Sequence, residues 1–248
     1  MVQYSWIDEL GFAAVRNFFR IVMWLFFSDI QVIGQENIPL HGPCIFVGNH
    51  NNQFVDPVLL MTTCPRQIGF IIAAVSLKRK IVGTLARIMK SIGVQRPQDY
   101  ARNGSGTIIA DNNIVRGTNT KFTSEIKIGE TIAVAKIEEC PRVVEIISDT
   151  ELKIHTKFEK PVEKPTAFKI RPNLDHTQLY NTVWDALATN HCIGIFPEGG
   201  SHDRPSLLPL KAGFCIMALG AMEKHPEAKV CIVPCGLNYF SGHRFRSR

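Results

Sequence analysis

Four short apolar runs, CIFVGN (44–49), QIGFIIAA (67–74), HCIGIF (191–196) and KVCIVPCGL (229–237), alternate with segments of helical pattern. This is the grammar of βαβ units, and it restricts the chain to an α/β fold. Asp56 and Pro57 supply an N-cap and a first helical residue, so a helix is predicted to open there. Leu77, Ile81, Leu85 and Ile88 recur at helical spacing and predict a helix over 77–89. Asp175 is predicted to cap a helix over 175–190, and a further helix is predicted over about 210–224.

Between Gly104 and about Ile170 the grammar changes. GTIIA (106–110), NIVRG (113–117), TIAVAKI (131–137), RVVEII (142–147) and ELKIHT (151–156) are β-branched runs separated by Gly, Asn and Asp turns. Such spacing predicts a small barrel or sandwich. Because the α/β pattern resumes afterwards, the β segment interrupts one domain. The expected division is 1–38 as an amphipathic membrane-associated helix and lead-in, 39–102 and 173–248 as two parts of one domain, and 103–172 as an inserted all-β module.

The chain has 248 residues, 45% of them apolar, enough for one core and a small second module. A net charge of +6, scattered among acids, suits phosphate-bearing ligands or an anionic membrane surface. Basic residues interleaved with exposed aromatics are missing, which argues against nucleic acid as a partner. The seven cysteines sit mostly in apolar runs and point to the reducing side of a membrane. Cys231 and Cys235 have C-x3-C spacing, but no second ligand pair follows, so no zinc site is expected.

The start MVQYSWIDEL carries two acids and no basic stretch, unlike a cleavable signal. From Phe12 to Phe27 the sequence is apolar, interrupted by Arg16 and Arg20, and the run Ile21–Phe27 is too short to span a bilayer. On a helix Glu9, Arg16 and Arg20 share one narrow polar stripe, and Trp6, Phe12, Phe18, Phe19, Trp24 and Phe26 fill the rest. Such a helix can lie in a membrane interface or cap the core.

Two blocks carry chemistry. His50 and Asp56, in NHNNQFVDP (49–57), follow the first strand, where open α/β sheets bind ligands. A His with a carboxylate on its other nitrogen can take a proton near neutral pH. The alternative is that Asp56 only caps the helix. In FPEGGSHD (196–203) the glycines let backbone N–H groups approach an anion. Ser201, His202 and Asp203 are consecutive, whereas hydrolase triads assemble from separated positions.

NHNNQFVDP, IGVQRPQD (92–99), FPEGGSHDR (196–204) and IVPCGLNYF (232–240), in that order, resemble the glycerolipid acyltransferase superfamily, in particular its fungal-type glycerol-3-phosphate/dihydroxyacetone-phosphate branch. The run FPEGGSHDRPSLLPLKAG is the closest match. The resemblance implies a mixed sheet flanked by helices and direct acyl transfer from acyl-CoA, with no covalent acyl-enzyme. The acceptor would be glycerol 3-phosphate or dihydroxyacetone phosphate, and the product lysophosphatidic acid. His50 would be the general base, oriented by Asp56. Arg96 would bind the acceptor phosphate, Glu198, Gly199 and Gly200 would shape the acceptor pocket, and Pro234 would mainly pack. No metal or organic cofactor is implied, and the expected setting is the cytosolic face of the endoplasmic reticulum membrane.

The sequence departs from the superfamily pattern in two ways. Five residues separate His50 from Asp56 where most of the superfamily has four, so their contact needs a bulge or turn. The chain also ends soon after the fourth block, which reads as a truncation. Lys78, Arg79 and Lys80 read as a solvated helix start, and His176, His191, His225 and His243 receive no role. An acyltransferase for lysophosphatidic acid and a non-catalytic lipid binder stay open as alternatives.

Overall fold

The computed structural model describes residues 6–240 and 245–246, with side chains from Glu9 onward. His243, the residues MVQYS at the start and the Trp6 side chain lie outside the described residues. The described residues fall into two compact units, one running to Val94 and resuming at His176, the other Gln95–Asp175.

In chain order the first unit holds α1 (Trp6–Phe26), β1 (Cys44–Gly48), α2 (Val55–Thr63), β2 (Ile68–Ala73), α3 (Ala74–Leu77), α4 (Lys80–Ile88) and β3 (Ile92–Val94). The second holds β4 (Arg102–Asn103), β5 (Thr107–Asp111), β6 (Ile114–Thr118), α5 (Phe122–Glu125), β7 (Thr131–Val134), β8 (Val143–Ser148), β9 (Glu151–Ile154), β10 (Val162–Thr166) and β11 (Phe168–Arg171). The first unit resumes with α6 (Thr177–Ala188), β12 (Cys192–Ile195), α7 (Gly213–Lys224) and β13 (Cys231–Cys235).

The first unit is built on a five-stranded sheet of order β13-β1-β12-β2-β3. All four pairings are parallel, which corrects the mixed sheet expected from the resemblance. A helix precedes each of β2, β3, β12 and β13 and returns the chain to the same end of the sheet. Successive side chains point to opposite faces. Cys44, Phe46, Ile68, Phe70 and Cys192 therefore pack with Phe12 of α1 and Leu60 and Met61 of α2. Ile45 and Ile193 pack on the other face with Val183 and Leu187 of α6 and Met217, Ala218 and Ala221 of α7.

This layering decides where a ligand can bind. β1 and β12 are neighbours, yet the chain leaves β1 towards α2 on one face and β12 towards α7 on the other. Adjacent strands whose connections diverge leave a crevice at their carboxyl ends. His50 follows β1 and Glu198 follows β12.

The polar stripe of α1 turns inward. Arg16 donates through Nη2 to the Cys64 carbonyl, and Arg20 donates through Nε to the Thr62 carbonyl at 3.0 Å. Both guanidinium groups thus meet the carbonyls at the carboxyl end of α2, where orphan acceptors and the helix dipole favour a cation. The opposite face of α1 leaves Leu10, Phe18, Ile21, Trp24 and Leu25 exposed. Among the described residues no helix is long and apolar enough to cross a membrane.

Three helices depart from the sequence expectations. The helix predicted over 77–89 is broken: α3 ends at Leu77, and α4 begins at Lys80 after an extended Arg79. Gly83 lies against the Leu77 carbonyl, where a Cβ would come within 2.1 Å of the oxygen, so the chain doubles back more tightly than one helix permits. Lys78, Arg79 and Lys80 are exposed at the break. α6 begins at Thr177 with His176, not Asp175, at its N-cap position. α7 begins at Gly213, after the chain from Leu207 has run without regular structure.

The second unit contains two antiparallel sheets, β10-β5-β6-β9-β8 and β4-β11-β7. Their inward residues, including Ile108, Val115, Ile132, Leu152, Phe168 and Ile170, form one core with Phe122 of α5. The two-residue turn Asn112-Asn113 joins β5 to β6, with Asn112 at a φ of 51° that asparagine tolerates. β10 carries Pro165 and lies at the sheet edge, where no ladder donor is needed from the proline.

Candidate active site

Block by block, the sheet brings its chemistry to one end. β1, β12 and β13 run in register, Cys44 beside both Cys192 and Cys231, so the segments that follow them emerge side by side. Asn49 fastens two of them: its Nδ2 donates to the Leu237 carbonyl at 2.9 Å, and the Leu237 N–H donates back to its Oδ1 at 2.6 Å.

The turn after β1 solves the spacing problem. Asn52 Oδ1 accepts from the N–H groups of Phe54 and Val55, forming the turn that starts α2. Asp56 is therefore not the N-cap, as the Asp-Pro pair suggests, but the second residue of the helix. Its carboxylate is free of capping and fully buried. Oδ2 faces His50 Nδ1 at 2.9 Å and accepts from the Asn52 N–H at 2.9 Å. The other oxygen, Oδ1, accepts from the Tyr239 hydroxyl at 2.5 Å.

With a carboxylate at Nδ1, the proton of a neutral His50 belongs on that nitrogen, and Nε2 keeps its lone pair. Nε2 makes no hydrogen bond among the described residues. The ring is stacked on Phe196 with centroids 4.2 Å apart and planes 12° from parallel, and Phe196 is itself stacked on Phe70. Gly48 permits this approach, because a Cβ there would come 3.0 Å from the Phe196 ring.

Glu198 holds the backbone of His50. Its Oε1 accepts from the His50 N–H at 2.8 Å. Its Oε2 accepts from the Leu208 N–H at 2.8 Å and from His202 Nε2. The His50 carbonyl in turn accepts from the His202 N–H at 3.1 Å. Both oxygens of Glu198 are thus committed within the protein, and its side chain is out of contact with solvent. Gly199 adopts a φ of 79°, and its N–H donates to the Phe196 carbonyl. The Lys211 side chain lies over it where a Cβ would stand, while the space beside Gly200 is open. Arg96 belongs to the second unit, where its guanidinium is held on both Asp99 oxygens at 2.9 and 2.8 Å.

Burial raises the Glu198 pKa, but the hydrogen bonds from His202, Leu208 and His50 outweigh it and hold the carboxyl below its usual value. A depressed folded value means stability that is full above the ordinary carboxylate pKa of about 4.3 and is lost as pH falls through the folded value. Glu198→Gln is expected to lower stability at neutral pH by about 1–3 kcal/mol. It should also flatten the fall in melting midpoint below about pH 4. Thermal unfolding against pH checks both.

Sequence reasoning missed Tyr239, Phe196 and Asn49 as parts of this assembly, although all three lie inside the motif blocks. It also missed a cavity of about 910 Å³ beside Tyr239, bounded by the 27–35 stretch, Leu59 and Leu60 of α2, and Val233 and Pro234 of β13. Pro234 stands exposed on the wall of this cavity, at the sheet edge. Among the described residues no three His, Cys, Asp or Glu side chains gather as a metal site.

A family model described as Acyltransferase matches residues 29–119 and 131–238. The chain belongs to the acyltransferase family. It is 43% identical, over 98% of its length, to glycerol-3-phosphate O-acyltransferase 1 of Saccharomyces cerevisiae. Over 93% of its length it is 37% identical to glycerol-3-phosphate O-acyltransferase 2 of the same yeast. Over 92% it is 38% identical to a Schizosaccharomyces pombe protein named as an uncharacterized acyltransferase. The chain spans only 35–36% of the length of these relatives. No solved structure matches it.

Proposed function

We propose that this chain carries the catalytic centre of an acyl-CoA-dependent acyltransferase that acylates the sn-1 hydroxyl of glycerol 3-phosphate, dihydroxyacetone phosphate or both. The observation that carries the reading is the buried Asp56 carboxylate on His50 Nδ1 with Nε2 left open. The acceptor is taken from the names of two relatives. His50 Nε2 takes the hydroxyl proton as the oxygen attacks the thioester carbonyl. The C–O bond forms, the C–S bond breaks, and the imidazolium returns the proton to the departing CoA sulfur. Asp56 holds the tautomer and stabilises the transient imidazolium.

The resemblance assigns the acceptor phosphate to Arg96, a guanidinium whose two-pronged donor set suits such a group and is engaged here by Asp99. Glu198 and Gly199 shape the acceptor pocket by fixing the His50 backbone and the turn after β12, and Gly200 leaves the pocket open. No metal or organic cofactor takes part, because the thioester is already activated. The cavity beside Tyr239 receives the acyl chain: its volume lies in the range of about 300–1,000 Å³ usual for small-molecule sites.

The exposed Leu10, Phe18, Ile21, Trp24 and Leu25 support a reading in which α1 lies on a membrane surface; in this reading that surface is the cytosolic side of the endoplasmic reticulum.

The test is acyl transfer by membranes expressing the protein, with labelled palmitoyl-CoA and each acceptor in turn. Product is expected with glycerol 3-phosphate or dihydroxyacetone phosphate. Product from lysophosphatidic acid alone would assign the second acylation step, and no product from folded protein would favour a lipid binder.

A further inference from the structure

We infer that Tyr239 is a positioning residue for acyl transfer, acting on His50 through the second oxygen of Asp56. The inference rests on the proposed role of His50 as base. Its basis is how the Asp56 carboxylate is held. Oδ2 has two partners, the Asn52 N–H and His50, and both come from the turn that Asp56 closes. Oδ1 is held by the Tyr239 hydroxyl, from a segment 183 residues away in the chain. A fully buried carboxylate with one bare oxygen would carry a large desolvation penalty and would be free to swing.

The fold delivers Tyr239 deliberately. β13 pairs with β1 up to Gly48 opposite Cys235, and the Asn49 amide then clamps Leu237 on both its N–H and its carbonyl. Two residues further on, the phenol reaches Asp56. Burial and the bond to Asp56 push its pKa up, so the hydroxyl keeps its proton and remains a donor throughout the working range. Asp56 cannot then offer Oδ1 to the imidazole. Its charge is shared among three donors, the Tyr239 hydroxyl, the Asn52 N–H and His50 Nδ1.

The other groups around His50 do not replace this control. Phe196 meets the ring only by stacking, and Glu198 and His202 bond the His50 backbone. The Tyr239 ring also lines the cavity, so Tyr239→Phe keeps the wall and the packing and removes the hydroxyl alone.

The experiment compares wild type, Tyr239→Phe, Asp56→Asn, the Tyr239→Phe/Asp56→Asn double variant and His50→Ala in expressing membranes. Each is followed as kcat, KM and the pH profile of kcat/KM, together with the melting midpoint of the solubilised protein. Tyr239→Phe is expected to lower kcat by roughly 10- to 100-fold with KM within about twofold, the size expected for a hydrogen bond to a charged group. The acid limb of kcat/KM should move to higher pH, because a less shared carboxylate binds the imidazolium more strongly. In the double variant the Phe substitution should add nothing to the loss from Asp56→Asn. An unchanged kcat and acid limb beside an inactive His50→Ala would overturn the role of Tyr239 and leave the base intact. So would a loss equal at every pH that tracks a lower melting midpoint. Full activity in His50→Ala would instead overturn the reading of His50 itself.

Discussion

His50→Ala is expected to reduce acyl transfer by about 10²- to 10⁴-fold, the usual contribution of a positioned general base. The loss should fall on kcat and kcat/KM together, since in the proposed mechanism the proton is taken in the transition state and not in binding. Folding should survive the change. The His50 side chain is 12% exposed, and its backbone is held by Glu198 and His202, whose bonds an alanine preserves. What the substitution exposes is the face of Phe196, now stacked on the imidazole. The direct check is single-turnover acyl transfer with labelled palmitoyl-CoA at saturating acceptor, beside a measurement of acyl-CoA binding. A kcat within tenfold of wild type would remove His50 from the proton transfer.

Much of this arrangement is legible in the chain. The four apolar runs fall on β1, β2, β12 and β13; in β1, β2 and β12 they are continuous because a strand buried on both faces needs apolar residues throughout, whereas β13 is an edge strand left half exposed. His50 and Glu198 can be placed at strand ends for the same reason. What is hidden depends on tertiary contact. Arg16 and Arg20 look like a polar face of α1, but the carboxyl end of α2, 42 to 48 residues away, turns them into caps for its carbonyls. The break at Arg79 depends on Gly83 meeting the Leu77 carbonyl, a contact that periodicity cannot register. β10 escapes pattern reading because an edge strand tolerates Pro165 and exposes Glu163 and Lys164. Glu198 looks like a pocket residue in sequence, and only the geometry assigns both its oxygens to His50, His202 and Leu208.

Asp56→Asn separates the pair from its capping alternative. Were Asp56 a helix cap, asparagine would serve nearly as well, since both rank at the top of N-cap preference. In the site the outcome is different. The amide must still accept from Tyr239 and from the Asn52 N–H, and with one oxygen it can satisfy only one of them. If the NH₂ turns to His50, it donates to Nδ1 and drives the ring proton to Nε2, the atom that must take the acceptor proton. If the amide oxygen faces His50 instead, the NH₂ opposes the Tyr239 hydroxyl, and the imidazolium loses its counter-charge. Either way kcat is expected to drop by about 10³- to 10⁴-fold, as when a buried carboxylate behind a catalytic His is made neutral. The double variant His50→Ala/Asp56→Asn should be no slower than the worse of the two single variants, because a base and its orienting carboxylate act as a unit. Losses that multiply would mean that Asp56 serves the reaction by a route other than His50. A fall of less than threefold in Asp56→Asn would leave Asp56 a structural member of the turn with no part in the proton transfer.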